Sequence, residues 1–125
     1  MLPKFADREV IFCGDINDVP DSVTLSTLYD QFDSCYKEVN GTEPKFTTHK
    51  HKADVGMTTR TIDYIFKQKD SLRSAARTAG SHTIKSLSGI YELPSESDLP
   101  STGYPTADHP SDHLAIGIEF VLSKH

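Results

Sequence analysis

The sequence predicts a single α/β (α+β) domain, and three strand-like stretches carry that expectation. Val10-Ile11-Phe12-Cys13 is a short apolar run rich in β-formers that stops at Gly14. Thr59 to Lys67 alternates, with Ile62, Tyr64 and Phe66 on one face and Thr61, Asp63 and Ile65 on the other. Leu114 to Leu122 alternates again through Ile116, Ile118 and Phe120. A length of 125 residues allows one domain with a modest core, and not two.

Taken in order, Met1 to Arg8 reads as the end of a connection or helix leading into the first strand. The run from Val10 to Cys13 suits a strand buried on both faces. Pro20-Asp21-Ser22 is a turn and helix-start signal. Val23, Leu25, Leu28, Tyr29 and Phe32 then recur at helical spacing and predict a core-packing helix. Asp33 to Glu43 reads as a loop with a short element around Cys35-Tyr36 and a turn at Asn40-Gly41. Lys45 to Thr48 predicts a brief strand. His49-Lys50-His51-Lys52 follows, then a flexible Ala53 to Gly56. The basic run suits a solvated face, a phosphate-steering loop or metal binding by His49 and His51. Leu72 to Arg77 suits strand or helix, with strand the preferred reading. From Glu92 to Pro110 the composition shifts to four of the seven prolines, many Ser/Thr and several acids, which predicts a long irregular loop over 92–110.

Charge narrows the choice of partners. A net charge of −5 argues against non-specific adhesion to nucleic acid or anionic membrane. Ten of the thirteen Lys/Arg lie between Lys37 and Lys85, however, so one middle segment could meet an anionic ligand. Cys13 and Cys35 are the only cysteines, and Cys13 falls in the expected buried strand, which favours a reduced core thiol over a disulfide. There is neither an apolar run of membrane-spanning length nor a charged-then-apolar leader. No membrane association and an intracellular, cytoplasmic setting are the expectation.

Three sets of residues need one explanation. Asp15 and Asn17 close the first strand, and two residues apart in extended backbone they would point the same way. An Asx-turn capping backbone amides would use the same residues. Asp63 is a carboxylate inside an apolar strand, costly unless Arg60 or a histidine neutralises it. Asp112-His113 opens the last strand. Acids and a histidine at strand ends suit a hard divalent cation acting on a phosphate ester, since Mg²⁺ takes few carboxylates and keeps its waters. A structural Zn²⁺ or Ca²⁺ site is the other metal reading, but the spacing of Cys and His and the absence of an EF-hand loop oppose it.

Gly14-Asp15-Ile16-Asn17, Thr61-Ile62-Asp63-Tyr64-Ile65-Phe66 and Pro110-Ser111-Asp112-His113-Leu114 occur here in that order. As an ordered set they resemble the endonuclease/exonuclease/phosphatase superfamily, in particular its CCR4/nocturnin-like branch; Thr47-Thr48 after an aromatic matches that branch too. The resemblance runs from Val10 to Phe120. It implies a DNase I-like four-layered α/β sandwich, mostly antiparallel sheet with flanking helices, of which this chain would be the C-terminal half. It implies Mg²⁺ or Mn²⁺, held by Asp15 and Asp112. Asp15 would activate the attacking water, Asn17 would bind the scissile phosphate, and His113, oriented by Asp63, would contact the phosphate and stabilise the transition state. Arg60 and the His49–Lys52 run would meet the anionic substrate, an RNA 3′ end or an adenine nucleotide, the 2′-phosphate of NADP(H) included.

Two departures qualify the resemblance. Thr58 stands where poly(A)-removing members carry an adenine-stacking aromatic, which argues against deadenylation. No Glu occupies the family's metal-binding Glu motif, which belongs to the missing N-terminal half of the domain. The isolated 125 residues are therefore expected to be inactive. The alternative is a non-catalytic half-domain that binds nucleic acid or a partner chain, with an apolar sheet face left uncovered.

Overall fold

The central sheet grows from Asp63–Gln68 (β5), whose alternation sends Tyr64 and Phe66 to one face and Ile65 to the other. The structure is a computed structural model and describes residues 8–72 and 81–124. The elements are β1 (Ile11–Asp15), α1 (Val23–Gln31), β2 (Phe32–Ser34), α2 (Cys35–Asn40), β3 (Thr48–Lys52), β4 (Gly56–Arg60), β5, β6 (His82–Ile90) and β7 (Ile118–Lys124), with single 3-10 turns at Asp70–Leu72 and Glu96–Asp98. Every pairing is antiparallel: a sheet of order β1-β5-β2 and the two ribbons β3-β4 and β6-β7. Mostly antiparallel sheet with few helices is the α+β arrangement expected, and it is consistent with half of a DNase I-like domain.

Helix α1 starts where Ser22 accepts a hydrogen bond from the Leu25 N–H at 3.2 Å, an N-cap that satisfies one of the first-turn donors. It buries Leu25 against Tyr64 and Phe66, with Leu28, Tyr29 and Phe32 alongside. Val23 does not join them; it is 84% exposed, because the first helical position points off the sheet. Helix α2, which starts at the short element expected around Cys35-Tyr36, is capped by Ser34 and closed by Gly41 at φ 82, the left-handed conformation glycine tolerates best. It sits on the opposite face, where Cys35, Tyr36 and Ile65 form a second cluster with Leu87, Ile90, Ile116 and Ile118 of the β6-β7 region. The sheet thus has α1 on one side and α2 with the β6-β7 ribbon on the other.

Four expectations need correction. The first strand is not buried on both faces: all five residues of β1 are exposed, because β1 is the terminal strand of its sheet among the described residues. Cys13 is accordingly an exposed free thiol, and Cys35 is the buried one. His49–Lys52 is not a loop but most of strand β3, and only its end is a solvated face: His49 is buried and Lys50 half-buried, while His51 and Lys52 are exposed. The single strand from Thr59 to Lys67 is two strands, since the chain leaves the β3-β4 ribbon at Arg60 and joins the central sheet at Asp63. At that crossing the Thr61 hydroxyl donates to the Pro44 carbonyl at 2.6 Å, and the Ile62 carbonyl accepts from Ile16 N–H at 2.8 Å.

The last strand also begins later than its alternation suggests, at Ile118, with Leu122 exposed. The 92–110 segment is irregular apart from its one 3-10 turn. The expectations for Met1 to Arg8 and for Leu72 to Arg77 fall largely on residues 1–7 and 73–80, outside the described residues. No helix among the described residues is long and apolar enough to cross a membrane.

Candidate active site

The crossing between β4 and β5 places Asp63 at the mouth of the central sheet, directly opposite Asp15, the last residue of β1. The turn before β7 supplies the third member. His113 pairs with Thr48 in an isolated bridge, and Leu114 N–H donates to the Thr47 carbonyl at 2.7 Å. These pairings carry the imidazole to the two aspartates across 50 residues of sequence separating Asp63 from His113.

His113 Nδ1 lies 3.0 and 2.9 Å from the two Asp63 carboxylate oxygens. A carboxylate accepts only, so Nδ1 carries the hydrogen and donates. Nε2 is left facing outward, 3.8 Å from Asp15 Oδ2 and 3.9 Å from Asp112 Oδ1. Asp63 is itself fixed by Thr47, a fully buried residue whose hydroxyl donates to Asp63 Oδ2 at 2.7 Å. The same hydroxyl oxygen accepts from the Ile62 and Asp63 N–H groups at 3.0 and 3.2 Å, the amides left without ladder partners where the chain changes sheets. Thr47 therefore closes the break in the backbone and aims the carboxylate at once.

Asp15 accepts the Asn17 N–H at 2.7 Å through Oδ1, leaving Oδ2 toward His113. Asn17 has φ 58, so the extended backbone assumed for Asp15 and Asn17 does not continue, and the Asx-turn is realised together with the site. The loop is anchored from below by Tyr64, whose hydroxyl lies 2.8 Å from the Asp18 carbonyl and whose pKa burial pushes up. Hydrogen bonds from Thr24 and from the Val19 amide hold the Asp18 carboxyl below its ordinary value, with a smaller pull from Arg60. Arg60 thus does not neutralise Asp63; its carbonyl accepts from Thr47 N–H and its guanidinium acts on Asp18.

Asp112 is held by Lys50 Nζ at 2.6 Å, and that hydrogen bond keeps its carboxyl below the usual value. Lys50 belongs to the basic run expected to meet the anionic substrate, but its bond to Asp112 was not legible, because nothing in the run's spacing points to residue 112. Thr47 carried a faint signal in the Thr-Thr pair after Phe46, and nothing in its spacing announced a hydrogen bond to Asp63.

Asp15, Asp63 and His113 each offer a ligand atom within 4.8 Å of the others. The hydrogen bonds divide these donors. Both Asp63 oxygens face His113 Nδ1, whereas Asp15 Oδ2 and Asp112 Oδ1 approach His113 Nε2 without a hydrogen bond to it, at 3.8 and 3.9 Å. Two hard carboxylate oxygens fit a divalent cation that keeps most of its water, better than they fit a closed protein cage.

The antiparallel α+β scaffold thus brings together an imidazole clamped by one carboxylate and approached by two more. The chain is 29% identical to nocturnin of Xenopus laevis over 133 aligned positions, covering 98% of this chain and 30% of nocturnin. No family model matches. The similarity supports the assignment to the CCR4/nocturnin-like branch, and the chain spans less than a third of the length of this relative.

Proposed function

We propose that this chain is the C-terminal part of a metal-dependent phosphoester hydrolase domain and carries its carboxylate–histidine half. The observation that supports the reading above all is the convergence of Asp15 at the end of β1, Asp63 at the start of β5 and His113 in the turn before β7. In this reading Asp63 holds the His113 ring in one tautomer and balances its charge when protonated. His113 Nε2 donates to a phosphoryl oxygen as charge builds there, and Asn17 hydrogen-bonds the same group. Asp15 takes the proton of the attacking water as the new P–O bond forms and the bond to the leaving oxygen breaks. Mg²⁺ or Mn²⁺, held by Asp15 and Asp112, would polarise the phosphoryl group and make the water easier to deprotonate. Arg60 and the exposed His51 and Lys52 would meet the rest of an anionic substrate, an RNA 3′ end or an adenine nucleotide.

The test is Mg²⁺-dependent hydrolysis of oligoadenylate and NADP(H) by the longer protein that carries this segment. Asp15→Ala and His113→Ala are each expected to lose at least about a hundredfold in rate. Wild-type rates in both variants would defeat the assignment. The 125 residues alone are expected to turn over little substrate, since no Glu of the chain stands in the resembled family's metal-binding motif.

A further inference from the structure

The irregular segment between Leu99 and His113 is tied down at named points, and the ties converge on the back of the site. His49 on β3 is 8% exposed; its Nε2–H donates to the Pro100 carbonyl at 2.9 Å, and its Nδ1 lies 2.8 Å from Thr59 Oγ1. The His49 carbonyl accepts from Tyr104 N–H at 2.7 Å. The Tyr104 ring lies against the ring of His109, with centroids 4.4 Å apart. His109 closes a tight turn: its N–H donates to Thr106 Oγ1 at 3.1 Å, and its carbonyl accepts from Thr106 N–H at 2.8 Å. That leaves its ring free to reach the carbonyl of His113, with Nε2 at 2.8 Å. A carbonyl only accepts, so Nε2 of His109 is the donor.

The His113 peptide sits where the ladder gives out. Its N–H goes to Ser111 Oγ at 3.0 Å, and its bridge to Thr48 is isolated. A side chain therefore satisfies the His113 carbonyl. That carbonyl shares a peptide plane with Leu114 N–H, which donates to the Thr47 carbonyl at 2.7 Å, so Thr47 and His109 hold the two ends of the plane whose tilt sets the bond carrying the imidazole toward Asp63. We infer that His109 is a positioning residue for His113, locked by Tyr104 and His49 and acting through the His113 carbonyl. The inference rests on the reading of His113 as the group that acts on the phosphate.

The test uses imidazole proton–nitrogen correlation spectra of the nitrogen-15-labelled chain, recorded well above the usual titration range of histidine, with His113 assigned by its loss in His113→Asn. In the wild type His113 should show one sharp species protonated at Nδ1. His109→Phe keeps a ring against Tyr104 and removes the donor; it should broaden or split the His113 signals and, in the longer protein, lower kcat by roughly three- to tenfold with little change in KM. His109→Gln places an amide donor near the same point and should restore both. Unchanged His113 signals in His109→Phe would overturn the inference, as would an unfolded His109→Phe or a failed rescue by glutamine. A wild-type His113 protonated at Nε2 alone would instead defeat the assignment of the Asp63–His113 pair, so the two failures are told apart.

Discussion

Thr47 shows how much one hydroxyl carries in this chain. It is fully buried, donates to Asp63 and accepts from two amides that have no strand partner. Replacing it by valine keeps the shape and strands three polar groups, so Thr47→Val should cost about 1–3 kcal/mol in chemical denaturation, with Thr47→Ser well below that. Equal stability of Thr47→Val and wild type would mean the hydroxyl is dispensable. The Lys50–Asp112 pair makes a different prediction. Its carboxyl lies below the ordinary 3.8, chiefly through the Lys50 hydrogen bond, so the folded state binds that proton less readily than the unfolded chain does. The pair thus stabilises the fold above 3.8 and loses its effect as the pH falls through the lowered value. Lys50→Met should lower the melting temperature at neutral pH and low salt, and the difference should vanish in strong acid or high salt. A gap that persists in acid would assign the effect to packing. Asp15, Asp63 and His113 were legible because a motif marks residue types; the bonds made by Thr47 and Lys50, and any part for His109, were not, because they depend on hydrogen-bond direction.

At the scale of elements, the alternation of Tyr64, Ile65 and Phe66 was legible, and both core clusters follow from it. The break at Thr61-Ile62 was not, since the apolar pattern continues unbroken through a change of sheet. The run Val10 to Cys13 misled for a related reason. Composition says that a strand is suited to burial, whereas the neighbours decide whether it is buried, and β1 lies at a sheet edge with Ile11 and Phe12 each 39% exposed. The cysteines report this directly. Burial pushes the Cys35 thiol up to about 11, while Cys13 is open to solvent. Brief alkylation of the native chain should label Cys13 alone, and denaturation should add Cys35, as read by peptide mass mapping. Protection of Cys13 in the native chain would mean that β1 is covered.

For the whole molecule, the layering of α1, central sheet, and α2 with the β6-β7 ribbon brings two strand ends and the turn before β7 to one rim, which is where the proposed chemistry sits. The α+β character followed from strand-like stretches and a helical stripe, whereas the antiparallel sheet and the rim were implied by the resemblance that the ordered motifs carry. The central claim is that Asp63 works through His113 as one unit, and a double-mutant cycle on Mg²⁺-dependent hydrolysis by the longer protein tests it most directly. Asp63→Asn and His113→Ala should each cost about 10²–10⁴ in kcat, and the double variant should be no worse than His113→Ala within a few-fold. Losses that multiply, or an Asp63→Asn enzyme running at the wild-type rate, would contradict the account.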